Sequence, residues 1–212
     1  MTMKVLNGII IDYEMGNVAS VAKTFEKIGA SVVVSRKQDE ISRADFLVLP
    51  GVGAFGDGME NLKRFGLADI LAQRVLEEKV PFLGICLGMQ LLTDVGYEFG
   101  ETRGLGFIKG KTVKLDAGSL RLPHVGWDNV EPVNGNSRLF DGIEDKNFYF
   151  VHSYCVRPDD IAIISATCDY GERFAAGIQR DNIFAAQFHP EKSQHSGWKF
   201  LENFLKQITE YA

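Results

Sequence analysis

The sequence predicts an α/β protein with an open, mostly parallel central sheet, helices on both faces, and partly antiparallel strands in the C-terminal half. Three observations carry this reading. Short apolar, β-branched runs alternate with longer segments of helical period through the first half. In the second half, short apolar runs follow one another with only glycine-containing and polar turns between them. An amphipathic segment closes the chain.

The elements follow in order. Val5–Ile11 reads as a buried strand, and Asn17 stands at the cap position of a helix Val18–Ile28. Val18, Val21, Ala22, Phe25 and Ile28 give that helix an apolar face, and Gly29 stops it. Ser31–Ser35 is a second strand, and Phe46–Leu49 a third that Pro50-Gly51 breaks. Gly66–Glu78 has helical spacing at Leu67, Ile70, Leu71 and Leu76, and Pro81–Ile85 is a fourth strand running into a turn at Cys86. Thr112–Leu115, Asn129–Val133, Phe148–Val151, Ile161–Thr167, Phe174–Gln179 and Ile183–Gln187 read as further strands. Gly197–Tyr211 is the closing helix, with Trp198, Leu201, Phe204, Leu205 and Ile208 on one side. Without a linker, repeat or low-complexity stretch, the reading is one open sheet in one domain over residues 1–212.

Composition narrows the function classes. Hydrophobic residues at 45% and charged residues at 24% are those of a globular protein, which excludes disorder and fibrous structure. A net charge of −5 offers no basic field, so neither nucleic acid nor a membrane surface is expected as a partner. Cys86, Cys155 and Cys168 fit neither a disulfide framework nor a metal pattern; no metal or cofactor is expected. The first residues are too short an apolar run for a signal peptide, and the longest uncharged stretch, Val80 to Thr93, falls short of the roughly 18 residues of a membrane span. The expected location is the cytoplasm.

Chemistry concentrates in three segments. Gly84-Ile85-Cys86-Leu87-Gly88 follows a strand and precedes a helical pattern, and small residues two places either side of a nucleophile permit the sharp turn that lifts it clear of a sheet. A thiol there lies at a helix start, whose free N–H groups favour the attacking thiolate. By itself the motif also fits a buried cysteine between packing glycines. His189-Pro190-Glu191 ends the Ile183–Gln187 strand, where open α/β sheets place their sites. An extended backbone would turn His189 and Glu191 the same way, as base and orienting group for the thiol, although an ordinary surface turn has the same residues. Pro50-Gly51-Val52-Gly53 directly follows a third strand and can turn backbone N–H groups toward an oxyanion, or simply form a turn. Together the three describe an acyl-enzyme hydrolase with Cys86, His189 and Glu191 as its triad.

These residues resemble a known family. GICLGMQ, PGVG and QFHPEKS are similar to the class I (triad) glutamine amidotransferases, whose sheet is flavodoxin-like. DYEMGN at Asp12–Asn17, LPGVGAF at Leu49–Phe55, LPHVGW at Leu122–Trp127, FVHSY at Phe150–Tyr154 and FHPEKSQ at Phe188–Gln194 resemble the glutaminase subunits of imidazole glycerol phosphate synthase. The resemblance implies hydrolysis of L-glutamine to glutamate through a glutamyl thioester. Ammonia then passes to a cyclase subunit, a (βα)8 barrel, which converts PRFAR to imidazole glycerol phosphate and AICAR in histidine biosynthesis. It implies Cys86 as nucleophile, His189 as base and acid, and Glu191 as the orienting group. Gly51, Val52, Gly53 and Leu87 match the oxyanion-binding backbone. Gln90, Glu98, Ser153 and Tyr154 match positions that hold the glutamine: Glu98 would pair with its ammonium, and Gln90 with its carboxylate. Asp12, Asn17, Pro123, Trp127 and Lys192 match segments facing the cyclase in the heterodimer. His124, His152 and His195 read as structural, and Cys155 and Cys168 as packing residues.

Two residues depart from the family pattern: Glu14 stands where glycine is usual, and Asp128 where asparagine is usual. They leave open a second partner, a sugar amidotransferase served by a paralogous glutaminase. Other classes are a cysteine peptidase on a similar sheet, which leaves HPEKS, PHVGW and Gln90 unexplained, and a binding-only subunit, against which the intact Cys86, His189 and Glu191 argue.

Overall fold

Apolar runs without polar alternation, such as Ile9-Ile10-Ile11 and Phe46–Leu49, belong to strands covered on both faces. A computed structural model of the chain describes residues 6–133 and 138–211. In chain order its elements are β1 (Asn7–Ile11), α1 (Val18–Lys27), β2 (Ser31–Ser35), α2 (Gln38–Ile41), β3 (Phe46–Leu49), α3 (Phe55–Arg64) and α4 (Leu67–Ala72), which a π-helical turn Gln73–Glu77 continues. Then come β4 (Phe82–Ile85), α5 (Leu87–Gln90), β5 (Thr93–Gly96), β6 (Thr102–Arg103), β7 (Ile108–Lys114), β8 (His124–Asn129), β9 (Glu131–Pro132), β10 (Asn147–His152) and β11 (Tyr154–Pro158). Last are β12 (Ile164–Tyr170), β13 (Glu172–Arg180), β14 (Ile183–Ala186) and α6 (Gln194–Tyr211).

The main sheet has the order β2-β1-β3-β4-β14-β13-β12-β9. Its first five strands are mutually parallel, and the last three continue it antiparallel. The single sheet expected from sequence is incomplete: β8 and β10 form an antiparallel pair, and β11-β7-β5-β6 a mixed four-stranded sheet. Strand β7 shows why, because its buried residues Ile108, Gly110 and Thr112 alternate with exposed ones, the signature of a strand covered on one face.

Successive residues of the central strands face opposite layers. Ile9, Ile11, Leu47, Leu49 and Phe82 pack with Met59, Leu62, Leu67, Leu71 and Val75 of the α3–α4 layer. Ile10, Phe46, Val48, Leu83 and Ile85 pack with Val21 and Phe25 of α1 and Phe200, Leu201 and Phe204 of α6.

Several boundaries differ from expectation for local reasons. Val5, where the predicted first strand begins, lies outside the described residues. Asn17 sits at the cap of α1 with φ of 62° and makes no capping bond, because its side chain is engaged elsewhere. The helix expected over Gly66–Glu78 widens into the π turn, closed by Glu78 N–H on the Gln73 carbonyl, which buries Val75 and exposes Leu76. The strand expected at Ile161–Thr167 begins with a 3-10 turn at Ile161–Ile163, capped by the Asp160 carboxylate.

What matters for function is register. Leu49 of β3 lies beside Gly84 of β4, and Ala186 of β14 beside Ile85. The segments that leave the carboxyl ends of these three strands are therefore neighbours in space, although more than 130 residues separate the first from the last.

Candidate active site

The turn after β4 is as sharp as the motif requires. Cys86 has φ 53° and ψ −107°, a conformation that side-chain-bearing residues rarely adopt and that costs about 1–3 kcal/mol. Its flanking glycines have no room for substituents: a Cβ on Gly88 would stand 1.7 Å from the Leu49 carbonyl oxygen, and one on Gly84 2.9 Å from the Gly88 carbonyl oxygen. The thiol lies at the head of α5, 3.7 Å from Gln187 Nε2 and 4.0 Å from the Val151 carbonyl.

His189 leaves β14 on the next strand. Its Nδ1 meets Glu191 Oε1 at 2.7 Å, and both side chains are almost wholly buried. The expected extended segment is instead a 3-10 turn, Pro190–Lys192, entered through a proline whose fixed φ suits a helix start. That turn, not strand alternation, returns the carboxylate to the ring. Asn17 Nδ2 donates to the same Glu191 oxygen in a short hydrogen bond. With Nδ1 occupied, Nε2 is the nitrogen left for the thiol, and it has no hydrogen-bond partner among the described residues. Burial opposes charge on this ring, but the Cys86 sulfur and the Glu191 carboxylate outweigh it and raise the His189 pKa to about 10. The ring is thus held as imidazolium at neutral pH, the counterion a thiolate requires.

The 50–53 segment runs beside the thiol, but two of the expected oxyanion donors, one in this segment and one at the head of α5, are engaged elsewhere in this conformation. Val52 N–H donates to the Met15 carbonyl at 2.8 Å, and Leu87 N–H to the Gly51 carbonyl at 3.4 Å. Buried N–H groups must find acceptors, and without an oxyanion these carbonyls serve. A half-turn of the peptide joining Gly51 and Val52 would free both donors.

A cavity of about 440 Å³ opens over Cys86, lined by Val52, Gly53, Leu87, Gln90, Glu98, Pro123, Val151, His152, Ser153, Tyr154 and Lys192. All four residues expected to hold glutamine are in its wall. Glu98 Oε2 accepts from Phe55 N–H at 2.8 Å. Both protons of Gln90 Nε2 are engaged, on the Tyr154 carbonyl at 2.9 Å and on Gln187 Oε1 at 3.2 Å. Gln90 therefore offers a substrate its oxygen, which suits an ammonium and not the carboxylate expected from sequence.

Sequence reasoning missed several residues here. Gln187 shares the alternation of His189 along the strand end, a signal that could have found it. His152 is part of the cavity wall and belongs to a buried chain: its Nδ1 meets the Tyr154 carbonyl at 2.8 Å, its Nε2 meets His124 Nδ1 at 3.1 Å, and His124 Nε2 meets Asp128 Oδ2 at 2.7 Å. Burial is the main influence on His152 and lowers its pKa from 6.5 to about 3, with the charges of His124 and His189 adding to the effect. An unfolded chain would bind a proton at this residue between those two values while the folded one does not, so stability falls as pH drops through that window. His152→Gln is expected to reduce the loss of stability between pH 7 and about pH 4, read as the shift in urea midpoint.

The residues expected to face a partner divide. Asn17 donates to Glu191, and Pro123 and Lys192 are on the cavity wall. Trp127 is 46% exposed and stands edge-on to Tyr149, over which Lys192 lies. Asp12 is tied to Arg36 at 2.6 Å. Glu14 adopts φ of 64°, a conformation that glycine takes without strain, and its carboxylate pairs with Arg36 at 2.8 Å and Arg64 at 2.5 Å.

A strained thiol after one parallel strand and a buried imidazole–carboxylate pair after the next are the parts that acyl transfer through a thioester requires. Residues 9–208 match the glutamine amidotransferase class-I family, and the chain belongs to it. Within that family it is 49% identical, over 93% of its length and 98% of the relative's, to imidazole glycerol phosphate synthase subunit HisH 1 of Campylobacter jejuni (strain RM1221). It is 48% identical to subunit HisH of Aquifex aeolicus (strain VF5), over 93% of this chain and 95% of that one. In fold it is similar to a solved structure of PurLQS from Thermotoga maritima, with a TM-score of 0.75 at 18% identity, covering 97% of this chain and 100% of that one. A crystal structure of a glutamine amidotransferase superposes with a TM-score of 0.74 at 17% identity, covering 94% of this chain and 98% of that one. No helix among the described residues is long and apolar enough to cross a membrane.

Proposed function

We propose that the chain is the glutaminase subunit of an imidazole glycerol phosphate synthase, one amidotransferase domain over residues 1–212 that works in the cytoplasm. The Cys86 sulfur attacks the side-chain amide carbon of L-glutamine, and the oxyanion that forms is received by the N–H groups of the 51–53 segment and Leu87. His189 gives its Nε2 proton to the departing nitrogen, which leaves as ammonia, and a glutamyl thioester remains. Water then attacks the thioester carbon as His189 takes its proton, and glutamate leaves with the thiol restored. Glu191, itself held by Asn17, keeps the imidazole in the right tautomer and stabilises its charge.

Ammonia passes to the cyclase subunit, which converts PRFAR to imidazole glycerol phosphate and AICAR. Free ammonia is largely protonated at neutral pH and then no longer nucleophilic, so transfer needs an enclosed path to the partner. Asp12, Asn17, Pro123, Trp127 and Lys192 are the residues we assign to that side. The observation that carries the reading is the Cys86 elbow beside the buried His189–Glu191–Asn17 chain. The names of the relatives favour this partner over a sugar amidotransferase.

The engaged state of the Val52 and Leu87 N–H groups adds an expectation about control. The chain alone should release glutamate slowly, and release should rise about 10- to 100-fold when the cyclase and its ligand are present. Glutamate formation measured with and without partner decides this. Equal rates would remove the coupling, and no glutamate under any condition would remove the glutaminase reading itself.

A further inference from the structure

Tyr13 is wholly buried just after β1, yet its hydroxyl has no hydrogen-bond partner among the described residues. An unpaired buried hydroxyl costs free energy, and a native structure that retains one invites the question of what it serves. Its place answers: a Cβ on Gly51 would lie 2.0 Å from the Tyr13 oxygen and 3.2 Å from Leu87 Cβ. The hydroxyl therefore rests against the backbone of Gly51, the first residue of the peptide whose rotation the oxyanion requires. Burial, with the Cys86 charge adding to it, raises the Tyr13 pKa well above its ordinary value, so the phenol keeps its proton and remains a donor.

We propose that Tyr13 is a positioning residue whose hydroxyl receives the Gly51 carbonyl when the Gly51–Val52 peptide turns over, and so holds the oxyanion-binding state. This rests on the glutaminase reading above. In the present conformation Val52 N–H points into the 12–16 loop, at the Met15 carbonyl, while the Gly51 carbonyl takes the Leu87 N–H. A half-turn exchanges the two directions. Val52 N–H then faces the thiol, Leu87 N–H is released beside it, and the Gly51 carbonyl enters the loop that contains Tyr13. There the unpaired hydroxyl supplies the hydrogen bond that the carbonyl lost on leaving Leu87. The hydroxyl is unsatisfied in the resting state and satisfied in the working one, which biases the equilibrium toward the working state. Gly51 is restricted to glycine by the same contact, since any side chain would displace the hydroxyl.

Tyr13→Phe retains the ring and removes only the donor. In the complex with the cyclase and its ligand, kcat for glutamate release is expected to fall about 10-fold with the glutamine KM unchanged, the loss of one hydrogen bond made only in the working state. The variant is also expected to melt about 2–4 °C higher, because an unpaired buried polar atom is gone. A merely structural tyrosine would not give lower kcat together with higher stability. Wild-type kcat in Tyr13→Phe beside an active unchanged complex would overturn this assignment alone, whereas an inactive unchanged complex would overturn the glutaminase reading and this assignment with it.

Discussion

Cys86→Ala is expected to lower glutamate formation by roughly 10⁴- to 10⁶-fold while leaving the fold and partner binding intact. The size follows from covalent chemistry: without sulfur no thioester forms, and water must attack an unactivated amide. A glutamine-derived electrophile should mark the unchanged protein at this residue and leave the variant unmarked. The strained backbone gives a second readout. Alanine inherits φ of 53° and its cost, whereas glycine adopts that conformation freely. Cys86→Gly should be equally inactive but melt above Cys86→Ala. Full turnover by either variant would sink the proposed mechanism, and a glycine variant melting below the alanine one would sink the claim of strain.

Gly88→Ala is expected to cost stability on a scale that threatens folding, above about 4 kcal/mol. Its Cβ would fall 1.7 Å from the Leu49 carbonyl oxygen and 2.8 Å from the carbonyl carbon. Those atoms are backbone at the end of β3, held by the strands on either side, so nothing can swing aside as a flexible side chain would. Gly56 is the control. It lies in the first turn of α3, where a Cβ meets nothing nearer than Thr102 Oγ1 at 3.7 Å, and Gly56→Ala should be neutral or stabilise by up to about 1 kcal/mol. Urea midpoints and soluble yield compare the two, and similar behaviour of both variants would show that the elbow's contact with β3 is softer than its geometry implies.

The fold was legible wherever packing imposes a period on the residues. The β1–β4 and β14 runs show it, as do the apolar faces of α1 and α6. Helix α3 escaped notice because Gly56 and Gly58 interrupt its pattern. Gly58 is there for space: a Cβ would stand 3.1 Å from Leu91 and 3.3 Å from Leu87. Strand β8 carries His124, Gly126, Asp128 and Asn129, poor strand formers, and owes its form to pairing with β10. At the site, the positions of Cys86 and His189 at strand ends were readable because each sits in a local motif. The hydrogen bond of Asn17 to Glu191, the contact of Tyr13 with Gly51 and the chain through His124 and His152 join residues remote in sequence. Only the tertiary fold brings those together. Peptide orientation at Gly51–Val52 depends on which carbonyl an N–H finds, and no residue pattern encodes that.

The insertion of β14 between β4 and β13 has a consequence in time. The elbow thiol leaves the ribosome about a hundred residues ahead of its base, an interval of roughly 5–20 s at ordinary rates of synthesis. Through that interval the β4 edge is unpaired and Cys86 has no imidazolium beside it. Only when the last parallel strand threads into place does His189 arrive, so closing the sheet and bringing the imidazole to the thiol are one event. A chain that ends before β14 has the elbow cysteine but lacks both the strand that covers the β4 edge and the imidazole that follows it.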